Sequence, residues 1–244
     1  MRAEDVVGAP TTPLGAPAFP VGPYRFTDRE YLNITYRTDP AALERVVPEP
    51  LRVVEPLVRF EVMRMPDVTG LGDYTEAGQL AVVEYEGEAG EYCLSMHVDN
   101  FPAIASGREI GAFPKKAGRP RLYVDHDTLV GTLDHGSLPV ARATMGYKHQ
   151  QLPAEQAREE LTQPTFMLKK LPHYDGSPRI CELVRTQISD LTVKGSWSGP
   201  ARLQLFAHAL APLADLPVLE IVSASHILTD LTLGRAQLVH DYLA

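Results

Sequence analysis

Prolines and glycines interrupt this chain so often that most of its segments are long enough only for a short strand or a short helix. There are 21 prolines and 18 glycines among 244 residues, and neither residue type is favoured inside helices or strands. The segments between them are rich in β-branched and aromatic side chains, as is typical of strands. In PLVRFEVMRM, alternation predicts a strand with two distinct faces, Val58, Phe60 and Val62 against Arg59, Glu61 and Met63.

Similar patterns recur along the chain and predict a mainly β (α+β) fold. The further predicted strands are YLNITYR, QLAVVEYE, YCLSMHV, RLYVD, LPVARATMGY, ICELVRTQISDL and ARLQLFAH. Two short helices are predicted, one between Asp39 as N-cap and Pro48, the other between Pro153 and Pro164. We expect mostly antiparallel strands that close into a barrel or form two packed sheets, because so many edges must be hidden. A barrel would enclose a dry pocket.

Charge and composition exclude several classes of partner. The formal net charge is −8, which argues against nucleic acid or an anionic membrane surface. No segment approaches the ~20 apolar residues of a membrane span, and no apolar leader segment begins the chain. We therefore expect a cytoplasmic protein with one domain over residues 1–244, in which about residues 1–16 are a loosely attached lead-in.

Metal, disulfide and nucleotide motifs are absent from the sequence. Cys93 and Cys181 lack metal-ligand spacing and are predicted to be buried thiols. No glycine-rich phosphate-binding motif and no HExxH motif occurs, so no cofactor or metal is expected. His97, His149 and His226 are predicted to be hydrogen-bonded structural residues.

Two Lys-Lys pairs lie in apolar surroundings, Lys115 and Lys116 in FPKKAG and Lys169 and Lys170 in FMLKKLP. Either pair could keep its amines in water while the stems cover apolar surface. Alternatively, one amine could be a nucleophile, which requires the neutral form. At an ordinary pKa near 10.4, only about one lysine in a few thousand is neutral at pH 7. Local hydrophobicity does not separate the two pairs.

Burial is the stronger of the two effects that could activate such a lysine. Consecutive residues on a strand point to opposite faces, so adjacent lysines need not bring their amines together. At about 12 Å and an effective dielectric constant near 40, repulsion is only about 0.7 kcal/mol. Burial can lower a lysine pKa by ~3–5 units. An activated lysine in this chain therefore requires a dry pocket.

Motifs spread along nearly the whole chain resemble the acetoacetate decarboxylase family. They are TPLGAPAFPVGPYRF, REYLNITYRTDP, VVPEPL, EPLVRFE, TGLGDYTEAGQ, GREIGAFPKKAG, DTLVGTLD, MGYKH, YDGSPRICEL, HALAPLADLPV and SASHIL. The resemblance implies that Lys115 is a Schiff-base lysine with Lys116 as its neighbour, and it returns the pair at Lys169 to the solvated interpretation. It also implies that Arg29, Glu61 and Glu76 are polar groups of the active site.

The resemblance further implies a fold, an assembly and a reaction. The fold would be a closed, cone-like antiparallel β-barrel with a flanking sheet and a few short helices, and the assembly a homo-oligomer, typically a dodecamer. The reaction would be Schiff-base decarboxylation of a small anionic β-keto acid, acetoacetate, to acetone and carbon dioxide, with no metal or organic cofactor. Arg29 would orient the substrate carboxylate, Glu76 would position Arg29 or relay a proton, and Glu61 would support that pair.

Two departures from the family pattern and two rival functions stay open at this stage. His97 stands where the family more often has an apolar residue, and Phe101 where it more often has a polar one, so substrate preference is uncertain. An enamine on the same scaffold could instead carry out an aldol condensation. A non-catalytic binding barrel, in which Lys115 only pairs with a ligand anion, is the other alternative.

Overall fold

Strands make up most of the computed structural model, which describes all 244 residues. The strands are Tyr24–Arg37 (β1), Arg52–Val68 (β2), Gly72–Tyr85 (β3), Glu88–Val98 (β4), Lys115–Ala117 (β5), Arg119–Asp125 (β6), Thr128–His135 (β7), Leu138–Gly146 (β8), Gln150–Gln151 (β9), Thr165–Pro172 (β10), Pro178–Thr186 (β11), Ile188–Ser198 (β12), Ala201–Leu205 (β13), Glu220–Leu233 (β14) and Gln237–Asp241 (β15). The α-helices are Ala3–Gly8 (α1), Pro40–Glu44 (α2), Phe101–Glu109 (α3) and Ala154–Leu161 (α4), and a 3₁₀ turn spans Leu213–Asp215.

The strands form two sheets, and nearly all neighbouring strands are antiparallel, so the mainly β prediction is confirmed. Eleven strands form one sheet in the order β15-β11-β10-β4-β3-β2-β1-β14-β12-β9, with β5 beside β4, and β13-β8-β7-β6 form the second. Only the β4 pairings with β5 and β10 are parallel. The larger sheet ends in β15 and β9, which do not pair with each other, so the closed barrel is not confirmed. Both end strands are short, which limits the exposed edge.

Residues 58–63 of the central strand β2 are buried on both faces. Val58, Phe60 and Val62 pack into one apolar cluster together with side chains of the smaller sheet, and Met63 belongs to a second cluster on the opposite side. The predicted alternation is therefore correct, but neither face meets solvent. Glu61 is consequently enclosed in protein, on the side away from the smaller sheet.

Both predicted helices form between the predicted boundaries. The Asp39 side chain accepts a hydrogen bond of 2.7 Å from the Ala42 amide at the start of α2. Helix α4 lies between Pro153 and Pro164. Prolines thus mark the limits of these helices as the sequence indicates.

Helix α3 was not predicted, because Pro102 and Gly107 fall within it. Pro102 occupies the first turn, where a missing amide costs nothing. The Asn100 side chain accepts a hydrogen bond of 2.9 Å from the Ala103 amide and caps the helix. This helix directly precedes β5.

The single strand expected over residues 180–191 and the expected burial of Cys181 differ from the structure. The segment 180–191, predicted as one strand, ends at Thr186 and restarts at Ile188 in a different part of the sheet. No residue of 1–16 is buried, whereas Phe19 is. Cys93 is a buried free thiol as predicted, but the free thiol of Cys181 is only half-buried. None of the helices has the length and apolar character needed to cross a membrane.

The three histidines have three different environments. His226 Nε2 lies 2.8 Å from Glu30 Oε1, which confirms its hydrogen-bonded role. The prediction is wrong for His97, because the ring is buried and neither nitrogen has a hydrogen-bond partner. It is also wrong for His149, which is exposed.

Candidate active site

Five adjacent strands bring the four charged residues expected from the sequence into one place. Arg29 lies on β1, Glu61 on β2, Glu76 on β3 and Lys115 on β5, with β4 between the last two. Strand register explains the convergence, because Glu76 is paired with Met63 of β2, on the same face as Glu61. All four charged side chains are buried, with residue exposures between 4% and 8%.

Glu76 links the two cations of this group. Its Oε2 lies 2.9 Å from Lys115 Nζ, and its Oε1 lies 3.6 Å from Arg29 Nη2. The carboxylate therefore bridges an amine and a guanidinium in a place from which water is largely excluded. Such an arrangement can exchange a proton with the amine and hold an anion beside it.

Arg29 is held by aromatic rings and keeps one N–H group without a partner. Its guanidinium carbon lies 4.8 Å from the Phe26 ring centroid and 4.7 Å from that of Tyr31. Nη2 lies 2.7 Å from Met63 Sδ, whereas Nε is buried without any hydrogen bond. Burial disfavours the charge, but Tyr31 and Glu76 outweigh it and raise the pKa of Arg29. Arg29 is a fixed cation with a free donor.

Two aromatic rings lie near the amine of Lys115, in addition to the Glu76 carboxylate. Nζ lies 5.5 Å from the Tyr74 ring centroid and 5.4 Å from that of Phe113. Lys116 is exposed, and its amine donates a hydrogen bond to the carbonyl of Leu210. The two adjacent lysines therefore have opposite environments.

The second lysine pair lies outside the site. Lys169 is half-buried, and its amine donates to the carbonyls of Arg108 and Glu109 at the end of α3. Burial lowers the pKa of Lys169. Lys170 is exposed, so the solvated interpretation holds for Lys170 but not for Lys169.

Two neighbouring cavities meet at Lys115. The inner one has the charged side chains of Arg29, Glu61 and Glu76 in its wall. The outer one is lined mainly by apolar residues and glycines from residues 21–23, helix α3 and the end of β14, with Phe113 shared between the two. Lys115 therefore lies between the inner cavity, with its charged wall residues, and the mainly apolar outer cavity.

Arg59 is a buried cation of the inner cavity that the sequence reasoning did not single out. Its Nε lies 3.7 Å from Glu61 Oε2, and its Nη2 forms an ion pair with Glu91. Nη1 donates to the carbonyl of Glu160 at 3.3 Å. The ion-pair partner of Glu61 is therefore Arg59, whereas Arg29 pairs with Glu76. The alternation in β2, which puts Arg59 and Glu61 on one face, was the signal available.

Burial makes two of these carboxyl groups unusually weak acids. It raises the pKa of Glu61 against the opposing effect of Arg59 and Arg29. It raises the pKa of Glu91 to about 7, again despite Arg59.

His97 and Phe101, the two departures from the family pattern, do not line either cavity. His97 is paired with Lys116, while its neighbour Met96 is paired with Lys115 and faces the inner cavity. The His97 ring lies 5.8 Å from that of His135 on the smaller sheet. Phe101 is 70% exposed.

Comparisons with known proteins cover the whole chain. A family model described as "Acetoacetate decarboxylase (ADC)" matches residues 8–243. A curated "Acetoacetate decarboxylase" from Streptomyces nogalater is 89% identical over 244 residues, with 100% of both chains covered. One of the same name from Clostridium beijerinckii is 64% identical over 100% of this chain and 99% of its own length. A solved structure titled "Structural Studies of Acetoacetate Decarboxylase" superposes with a TM-score of 0.98 at 59% identity, covering 100% of both chains.

Proposed function

The chain belongs to the acetoacetate decarboxylase family and catalyses the decarboxylation of acetoacetate, and from this premise we propose that the reaction proceeds through an iminium formed on Lys115. The observation that carries the proposal is the contact of Glu76 with both Lys115 Nζ, at 2.9 Å, and Arg29 Nη2, at 3.6 Å. In this contact a group able to accept a proton lies beside the amine and a cation lies nearby, which supports the proposal.

Glu76 activates the amine of Lys115 for attack. The nucleophile must be neutral, and the carboxylate oxygen at 2.9 Å can take the ammonium proton directly. The rings of Tyr74 and Phe113, 5.5 Å and 5.4 Å from Nζ, help to keep bulk water away from the buried amine.

Arg29 orients the carboxylate of the β-keto acid. Its unpartnered Nε–H can donate to that anion, and its charge is fixed. Glu76 competes for the same guanidinium, which keeps the grip on the carboxylate moderate. A grip that is too tight would stabilise the ground state and slow the step.

The bond changes balance with one proton taken up from solvent, because the water lost when the iminium forms is returned when it is hydrolysed. The lysine nitrogen bonds to the ketone carbon, and loss of water leaves a cationic iminium. The bond to the carboxylate carbon breaks, and its electron pair neutralises the iminium to an enamine while carbon dioxide leaves. A proton then adds to the enamine carbon, and water releases acetone and the free amine. The iminium is the electron sink, so the scheme calls for no metal or organic cofactor.

Glu76 is also placed to supply a proton in the last steps. The proton taken from Lys115 leaves with the water lost on iminium formation, so Glu76 must take up a proton from solvent and pass it to the enamine carbon, close to the nitrogen it contacts. Glu61 and Arg59 act behind this group, as a buried ion pair in the cavity wall. This assigns proton transfer to Glu76 and a supporting role to Glu61.

We also propose a cytoplasmic homo-oligomer, a dodecamer. Large apolar side chains such as Val54, Leu210 and Leu219 are more than 60% exposed in the single chain, as expected when subunits cover them. The free thiols of Cys93 and Cys181 suit a reducing compartment. Size-exclusion chromatography with light scattering measures the subunit number, and a monomer would contradict this expectation.

The decisive experiment compares Lys115→Ala with Lys170→Ala, a control at an exposed lysine. Carbon dioxide release from acetoacetate is measured first, and then the mass of protein treated with substrate and borohydride. Lys115→Ala should be inactive and form no adduct, whereas the control should match the unaltered enzyme in both respects. An adduct retained in Lys115→Ala would place the nucleophile elsewhere.

A further inference from the structure

Helix α3 lacks a side chain at the point where the stem of Lys115 crosses it. A Cβ built on Gly107 would lie 2.6 Å from Lys115 Cδ, 2.9 Å from Cε and 3.4 Å from Cγ. Real Cβ atoms essentially never approach other atoms closer than 3.0 Å. The aliphatic stem of the lysine therefore occupies the space that any larger residue at position 107 would need.

The backbone of Gly107 gives no reason of its own for a glycine. The residue lies within α3 in ordinary helical conformation, and it is not among the glycines with positive φ. Glycine is a poor helix former compared with alanine. Glycine at position 107 therefore destabilises the helix, and its only advantage is the space that it leaves for the Lys115 stem.

Backbone contacts prevent Lys115 from moving away from α3 as a whole. The Phe113 amide donates to the Gly107 carbonyl at 2.9 Å, and Arg108 Nη1 donates to the Lys115 carbonyl at 3.1 Å. These hydrogen bonds tie the strand to the helix on both sides of the stem. A methyl group at position 107 would have to be accommodated by bending the stem, which would move Nζ.

We propose that Gly107 is a positioning residue for the reaction: its missing Cβ forms the groove that holds the Lys115 stem and aims Nζ at Glu76. This inference rests on the proposed role of Lys115 as nucleophile. In this proposal, helix α3 determines where the Lys115 amine meets the ketone carbon of the substrate. A displacement of about 1 Å at a reacting atom can lower a rate by about 100-fold.

The test is Gly107→Ala, with Gly8→Ala as control, because a Cβ on Gly8 of α1 meets nothing within 4 Å. Gly107→Ala should lower kcat by about 100-fold and slow borohydride trapping, because the amine is displaced. KM should change little, since Arg29 still holds the substrate carboxylate. Gly8→Ala should behave like the unaltered enzyme.

A double-variant cycle separates contact with the stem from a general disturbance of the fold. In the Lys115→Ala background the stem is gone, so adding Gly107→Ala should raise the thermal unfolding midpoint, as expected for alanine in a helix. In the unaltered background the gain should be smaller or reversed. The same change of midpoint in both backgrounds would overturn the inference.

The outcomes also distinguish this inference from the proposed function. Full activity in Gly107→Ala together with an inactive Lys115→Ala would overturn only the role of Gly107. Activity and adduct formation in Lys115→Ala would instead overturn the proposed mechanism. A raised KM with unchanged kcat in Gly107→Ala would also count against positioning of the amine.

Discussion

Lys115 and Lys116 are consecutive residues whose amines leave β5 on opposite faces. The amine of Lys115 is buried 2.9 Å from Glu76, whereas that of Lys116 is exposed and donates to the carbonyl of Leu210. The ammonium of Lys116 therefore does not share the cavity with Lys115. Burial, the contact with Glu76 and the nearby rings of Tyr74 and Phe113 distinguish Lys115 from a neighbour that is chemically the same.

Replacing Glu76 with glutamine should lower kcat by about 100-fold to 10,000-fold, the usual range for loss of a proton-transfer group. The amide keeps the shape of the side chain but cannot take the proton from Lys115. Steady-state kinetics with acetoacetate measures the effect. Glu84→Gln is the control on the same strand. Glu84 is only half-buried, and its ion-pair partner is Arg52, 3.9 Å away, instead of Lys115 or Arg29. Near-normal kcat in Glu76→Gln would assign proton transfer to another group.

Replacing Arg59 with methionine should lower the free energy of unfolding by about 3–5 kcal/mol, because a buried ion pair loses one partner. Glu61 and Glu91 would then lie buried without their cation. Denaturant unfolding measures the loss, and Arg121→Met, at an exposed residue of β6, is the control.

The loss from Arg59→Met should also depend on pH. The pKa of Glu91 is raised to about 7, above its ordinary 4.5, so the neutral carboxyl is favoured in the folded state and this contribution is lost as pH rises through 7. Without Arg59 an ionised Glu91 is even less favourable. The destabilisation should therefore be larger at pH 8 than at pH 5.5, and a loss independent of pH would show that Glu91 and Glu61 are not the groups involved.

His97 should weaken the fold in acid. Burial, then His135, Lys116 and His208, lower the pKa of His97 from 6.5 to about 4. Because the folded pKa is depressed, the neutral ring contributes full stability above pH 6.5, and that contribution is lost as pH falls toward 4. A shift of this size corresponds to about 3 kcal/mol.

His97→Leu should therefore resist acid better than the unaltered protein. The ring nitrogens of His97 have no hydrogen bonds to lose, so leucine should be at least as stable at pH 8. The stability difference, measured by denaturant unfolding, should grow in favour of the variant between pH 6.5 and pH 4. Parallel pH profiles would show that His97 does not titrate as described.

Strand alternation foresaw the local features of the site, but not its long-range contacts. The opposite faces of Lys115 and Lys116 and the shared face of Arg59 and Glu61 follow from a period of two. The pairing of Arg59 with Glu91 does not, because 32 residues separate them and only the sheet register brings them together. Local patterns carry no information on register between distant strands.

The architecture, like the site, was predictable in its local features but not in its long-range arrangement. Many short alternating segments predicted an antiparallel β protein, and of the two arrangements that could hide their edges the structure has two packed sheets. The resemblance to the family, and not spacing, identified Arg29 and Glu76 and separated Lys115 from Lys169. The role of Gly107 required coordinates, because a missing Cβ has meaning only beside the side chain that fills its place.

Gly70→Ala should disturb the segment before β1, whose residues 21–23 line the outer cavity, whereas Gly72→Ala should not. Both glycines have positive φ, +73° and +78°, so each alanine costs about 1–2 kcal/mol in backbone strain. A Cβ on Gly70 would also lie 2.3 Å from Pro20 Cγ, while a Cβ on Gly72 meets nothing within 4 Å. Pro20 directly precedes Val21, a wall residue of the cavity beside Lys115. Gly70→Ala should therefore lose a further ~1–3 kcal/mol of unfolding free energy and lower kcat/KM. Equal losses in the two variants would show that the packing of Pro20 does not hold the cavity wall.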